Sequence, residues 1–183
     1  MSCPYGGAHQ RFTHSMNTIL TPEQDARYAD PALIQRVLRQ AKTVAVVGLS
    51  KDPQKASHFV AVYLQSHGYR VIPVNPTVTG DLLGEPVYAT LRDIPPDVTV
   101  DLVDVFRGAN HAPEIARQAV EIGAKALWLQ LRIVSDEAAE IASDAGLDVV
   151  MDRCVKMEHG RYAGGLHWVG MNTGIVSARK ARR

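Results

Sequence analysis

The chain is poor in cysteine, with only Cys3 and Cys154 among 183 residues. Two distant cysteines exclude the disulfide framework of a small secreted domain and point to a reducing cytoplasm. Neither sign of charge predominates, since 20 Lys+Arg against 19 Asp+Glu leave a formal charge of +1. That balance excludes a global pull toward nucleic acid or acidic membranes, so any anion site must be local. No apolar run approaches the ~20 residues that span a bilayer. Residues 1–18 are polar, carry His9, Arg11 and His14, and lack the apolar stretch of a signal peptide. No further ligand spacing supports His9 and His14, so no metal site is expected. The expectation is a cytoplasmic protein with no membrane or nucleic-acid partner.

What is present is a regular alternation. The length suits one domain, and a 46% hydrophobic content marks a globular chain. Asp30 can cap a helix with Pro31 at its first position and Leu33, Ile34, Val37 and Leu38 at helical spacing. The run 43–48 (TVAVVG) reads as a strand buried on both faces. A polar loop follows, and Ser57 is placed to cap the next helix, which Gly68 ends. Further strands are expected over 69–74, 99–106, 125–131 and 147–151, with a small one at 86–88. Helices opened by Pro113 and capped by Ser135 separate the later ones, closed by Gly123 and Gly146. Beyond Val155 the pattern stops.

Such alternation implies βαβ units with right-handed crossovers. The expected fold is α/β, a Rossmann-like three-layer sandwich around a mostly parallel five-stranded sheet. Its expected organisation is a leader over 1–30, the domain over 31–158 and an extension over 159–183. The basic end, Arg179 to Arg183, reads as a solvated tail. Ligands of such folds sit at the carboxyl ends of the strands. That directs attention to 48–57, 74–77, 105–108, 128–132 and 152–154.

The loop 48–57 (GLSKDPQKAS) runs from the first strand into a helix N-terminus, where free N–H groups and the helix dipole favour an anion. Lys51 and Lys55 add charge, and Ser50 and Ser57 add hydroxyls. The ordinary alternative is a βα loop with solvated lysines. Only Gly48 stands where a dinucleotide fingerprint needs three glycines, and no Gly-Lys-Ser/Thr follows. The second strand ends Val74-Asn75-Pro76, with no acid to grip a ribose 2′-hydroxyl. Both absences count against NAD.

The stretch from Thr43 to Glu158 resembles the small CoA-binding protein family, which is similar to the N-terminal CoA-binding domain of the succinyl-CoA synthetase alpha subunit. The likeness is carried by 44–50 (VAVVGLS) with Pro53, Lys55 and Ser57, and by 68–76 (GYRVIPVNP). It continues through 83–85 (LGE), 104–107 (DVFR), 126–130 (ALWLQ) and 152–154 (DRC). The resemblance implies coenzyme A as ligand, with its pyrophosphate on the loop of Gly48, Leu49, Ser50, Lys51, Pro53, Lys55 and Ser57. It implies the adenosine end beside Val74, Asn75 and Pro76, and Val105, Phe106 and Arg107 flanking nucleotide and pantetheine. CoA carries about four negative charges, which Lys51, Lys55 and Arg107 could meet. Phe106 or Trp128 could offer an apolar wall, although core packing is the ordinary role of both. Arg107 could instead pair with Asp104.

No catalytic residue is assigned. The synthetases carry a phosphorylated histidine in a separate domain, and no residue here matches it. Cys154 and His159 could form a thiolate–imidazole pair, or Cys154 could form a mixed disulfide with the CoA thiol; a buried inert cysteine is the plain alternative. Asp101 and Asp104, three apart on a strand, face opposite sides. The reading is a CoA or acyl-CoA binding module without chemistry of its own. The alternatives are an NAD(P)- or CoA-dependent enzyme and an interaction protein that senses a nucleotide. Free CoA and acyl-CoA are not separated, and no protein partner is identified.

Overall fold

The structure is a computed structural model and describes residues 18–162. Helix α1 (Pro22–Tyr28) opens with a capping box, in which the Thr21 hydroxyl and the Gln24 side chain each bond the other's backbone N–H. Helix α2 (Pro31–Gln40) begins as expected, with the Asp30 carboxylate accepting from the N–H groups of Ala32 and Leu33. Strand β1 (Thr43–Val47) leads into α3 (Ala56–Ser66) and then β2 (Arg70–Val74).

The passage after β2 makes a small antiparallel pair, β3 (Asp81–Leu82) with β4 (Glu85–Pro86), and Tyr88 bridges back to Val74. Then follow β5 (Leu102–Val105), α4 (Ala112–Glu121), β6 (Ala126–Leu129), α5 (Asp136–Asp144) and β7 (Asp148–Val150). The Ser135 hydroxyl caps α5 by accepting from the Ala138 N–H.

The five main strands order as β2-β1-β5-β6-β7, and every pairing in that sheet is parallel. The Rossmann-like three-layer expectation therefore holds. Alternation along each strand divides the interior in two. Ala45, Val47, Ile72, Val74, Val103, Val105, Leu127 and Leu129 pack beneath α1, α4 and α5. Val44, Val46, Val71, Leu102, Ala126 and Trp128 pack beneath α2, α3 and the last helix. Both faces of the sheet are covered, which is why these strands read as continuous apolar runs. The order turns between β1 and β5, so the β1–α3 and β5–α4 connections leave in opposite directions and open a crevice at the carboxyl edge.

Two sequence expectations need correction. The regular pattern does not stop at Val155, because α6 (Val155–Tyr162) packs on α2 and α3. Its apolar positions are few, so periodicity did not reveal it. Ser57 is not the cap of α3. Lys55 holds the cap position without a side-chain bond, and Ser57 lies in the first turn. At the amino end, Leu20, Tyr28 and Ala29 are buried in the core. The secondary structure does not pause at 158/159. The expected readings of His9, His14 and the basic end fall outside the described residues.

Candidate functional site

The crevice begins where β1 ends. Gly48 takes φ +91°, a left-handed conformation that turns the chain out of the sheet. It also has a space requirement, because a Cβ there would meet Arg107 Cδ at 3.0 Å and the Phe106 carbonyl at 3.3 Å. Arg107 thus lies across the first residue of the loop. It does not pair with Asp104, whose hydrogen bond comes from Gln130.

The loop itself is held from inside. Leu49 is fully buried, and its carbonyl accepts the Asn75 amide N–H at 2.8 Å. The Ser57 hydroxyl accepts the Ser50 N–H at 3.1 Å, and a His58 ring nitrogen lies 2.8 Å from the Ser50 carbonyl. The Ser50 hydroxyl accepts from Asp52 N–H, and the Asp52 carboxylate from Gln54 N–H. These bonds fix the loop so that α3 begins without a side-chain cap. Its first-turn N–H groups and dipole face the crevice as an anion-attracting end. Lys55, Lys51 and Pro53 are exposed on the same loop. Lys51 donates to the Thr79 carbonyl at 3.0 Å, tying the loop to the segment after β2.

Asn75 is a strut. It is buried, its amide N–H goes to Leu49, and its Oδ1 accepts from both the N–H and the hydroxyl of Thr77. Its acceptor end is fully used by Thr77, and one of its two amide N–H groups is spent on Leu49. Pro76 is exposed beside it, while Val74 and Val105 are core residues that can offer only backbone. Phe106 is half-buried on the α3 side of the crevice.

Trp128 is a correction. It is fully buried, and its indole N–H donates to the Arg153 carbonyl at 2.7 Å. The ring is core and presents no wall to a ligand. Among the described residues no Cys154–His159 hydrogen bond is formed, and His159 Nδ1 lies 3.0 Å from the Tyr63 hydroxyl instead. Burial, together with the neighbouring His67, holds the His159 imidazole below its ordinary pKa.

The sequence reading missed His58 and Thr79, and gave Gln130 no role of its own; their parts depend on packing between separate elements. Asp104 was noted only as a weak acid–base candidate. It is fully buried on β5, and loss of solvation raises its carboxyl from an ordinary 3.8 to about 7. Among the described residues no helix is long and apolar enough to cross a membrane. No cluster of His, Cys, Asp and Glu there could hold a metal.

Comparison with known proteins gives this geometry a family. The uncharacterized protein YneT of Bacillus subtilis is 38% identical over 128 residues, covering 70% of this chain and 93% of YneT. A hypothetical protein from Pyrococcus horikoshii OT3 superposes with a TM-score of 0.70 at 36% identity, over 74% of this chain and 93% of that one. A Thermus thermophilus structure gives 0.68 at 38% identity, over 73% and 98%. A dinucleotide-forming acetyl-coenzyme A synthetase of Ca. Korarchaeum cryptofilum gives 0.53 at 26% identity, over 61% of this chain but only 26% of the synthetase. Residues 42–160 match the CoA binding domain family, so the loop at Gly48, the strut at Asn75 and Arg107 all lie within the matched span, and the chain belongs to that family.

Proposed function

We propose that the protein binds coenzyme A or an acyl-CoA, and holds it without ligase or hydride chemistry of its own. The pyrophosphate lies on the 48–57 loop at the start of α3. The adenosine end lies beside Val74, Asn75 and Pro76, and residues 105–107 flank the nucleotide and pantetheine. One observation carries this reading: Arg107 crosses Gly48 at the uncapped start of α3, with Lys51 and Lys55 on the same loop. A cation, exposed lysines and free N–H groups converge there on a site for a polyanion. NAD fits less well, because Asn75 stands where an acid would hold the ribose and its acceptor oxygen is taken by Thr77.

Calorimetric titration with CoA, with NAD and ADP in parallel, tests the reading. Saturable CoA binding well above both controls is expected. It weakens with salt and by about three- to tenfold in Lys55→Ala, the range of one partly solvated charge contact. Equal or tighter binding of NAD overturns it.

A further inference from the structure

Away from the crevice, four rings meet in the seam between α3 and α6. They are Tyr63 from α3, His67 just past its end, Tyr69 ahead of β2 and His159 from α6. The Tyr63 and His67 rings are 4.1 Å apart between centroids, and those of His67 and His159 are 5.0 Å apart and T-shaped. Tyr63 and Tyr69 are T-shaped to His159 at 5.6 and 5.5 Å. The Tyr63 hydroxyl lies 3.0 Å from His159 Nδ1 and links the two helices. With His159 neutral, the hydroxyl can donate and the ring nitrogen accept; a proton on Nδ1 removes that acceptor. His67 Nδ1 lies 2.8 Å from the Tyr63 carbonyl, which can only accept, so the proton of neutral His67 sits on Nδ1. Tyr69 donates its hydroxyl to the Leu38 carbonyl of α2 at 2.8 Å.

Nothing around the seam is placed to pair with a charged His159. Glu158, beside it on α6, is buried and accepts from Arg161 with both oxygens. Lys156 and Arg161 add positive charge on the same helix, and the Lys156 ammonium sits 3.8 Å over the Phe59 ring of α3. Toward this layer α2 presents the buried Ile34, Val37 and Leu38, while its Arg36 is engaged with Asp148 and its Arg39 with Gln35. Burial pushes up the Tyr63 and Tyr69 phenols and the Cys154 thiol, so all three stay neutral. His159 itself is 5% exposed. A proton on it creates an unpaired interior cation, 5.0 Å from a second ring that can also carry charge.

We propose that Tyr63, His67 and His159 form a pH-sensitive latch: with both imidazoles neutral α6 stays seated on α3, and on protonation α6 lifts away while the sheet stays folded. The latch stands independently of the CoA reading. Burial and the neighbouring His67 hold the seated His159 below the ordinary 6.5, whereas the released ring takes up its proton near that value. Seating is therefore complete above pH 6.5 and is lost as pH falls through it. The Glu158 carboxyl, pushed up by burial, titrates in the opposite sense and limits the effect. Lifting α6 frees Tyr63 and takes the Lys156 ammonium off Phe59. Helix α3 carries no Asp, Glu, Lys or Arg, and Phe59 and Val62 are already exposed on it. Acidification thus widens a face without formal charge on α3 from Phe59 and Val62 to include Tyr63.

The test is amide hydrogen exchange of the full chain, followed by NMR at pH 7.5, 6.5 and 5.5 and corrected for the intrinsic pH dependence of exchange. Protection of the 158–162 amides should fall about tenfold from pH 7.5 to 5.5 for one proton taken up near 6.5, and further if His67 takes a second. Strands β1 and β5 should keep theirs. His159→Gln should flatten the fall in α6, and His67→Gln, at an exposed ring, should reduce it. Protection of α6 that stays constant to pH 5.5, that is lost together with β1 and β5, or that falls equally in His159→Gln overturns the latch. Should His159→Gln fail to seat α6 at pH 7.5, the titration of the parent's own His159 ring decides. A midpoint that coincides with the loss of α6 protection supports the latch, and a separate midpoint refutes it.

Discussion

Replacing Asp104 by asparagine should change how stability depends on pH more than it changes stability itself. The carboxyl titrates near 3.8 in the unfolded chain and near 7 in the folded protein. The folded state therefore binds the proton more tightly. The stability this contributes is fully present below pH 3.8 and is lost as pH rises through 7. Roughly three units at about 1.4 kcal/mol each set the full swing at about 4 kcal/mol. Most of it lies below pH 6, and the part between pH 8 and pH 6 is about 1 kcal/mol. Asparagine can keep the Gln130 hydrogen bond through its oxygen and does not ionise. Urea unfolding at pH 6, 7 and 8 should give a wild-type midpoint that rises on acidification by about 0.5 M relative to the variant. The difference between the two proteins matters, because His159 titrates in the opposite sense. Its lowered pKa removes stability as pH falls below the ordinary 6.5. Parallel lines for the two proteins would refute the reasoning and show Asp104 ionised with a partner.

Four further outcomes follow from the same geometry. Gly48→Ala combines a φ of +91° with a Cβ 3.0 Å from Arg107 Cδ, so it should cost about 1–2 kcal/mol by thermal unfolding and displace Arg107. CoA affinity should drop with it, and an unchanged affinity would show that Arg107 does not contribute. Trp128→Phe leaves the buried Arg153 carbonyl without its 2.7 Å donor and should destabilise by about 1–3 kcal/mol in denaturant. In a Trp168→Phe background, Trp128 fluorescence should resist iodide quenching and stay constant when CoA is added, since the ring has no exposure. Asn75→Ala frees the Leu49 carbonyl and should weaken CoA binding beyond any loss in stability, measured by calorimetry against melting temperature.

The alternation of strands and helices was readable because the strands are buried on both faces, and because α4 opens with a proline and α5 with a capping serine. The loop at Gly48 was readable because one glycine, two lysines and a helix start sit together in sequence. What stayed hidden depended on distance along the chain. Ser57 has the chemistry of a cap, but its hydroxyl turns back to Ser50 and leaves the cap position to Lys55. Trp128 lies next to a strand end and reads as a ligand wall, yet a carbonyl 25 residues away draws its indole inward. Helix α6 has no periodic stripe, since it is held by buried polar groups, with Tyr63 on His159 and Arg161 on Glu158. Asp104 became interpretable only when Gln130, 26 positions away, was placed beside it.

The edge strand β7 is closed by the opposite end of the chain. Asp152, at φ +52°, accepts from Arg132 N–H, the Thr18 hydroxyl and Ile19 N–H, while Arg153 pairs with Asp25 and the Met151 N–H reaches the Tyr28 carbonyl. Apart from the Arg132 bond, these contacts join residues more than 120 positions apart. During synthesis, residues 18–28 leave the ribosome long before their partners exist. They wait, with Leu20 and Tyr28 uncovered, until β7 has emerged. Closure of that seam is therefore a late event in vectorial folding, and until then the growing chain carries an unguarded sheet edge that a chaperone can recognise.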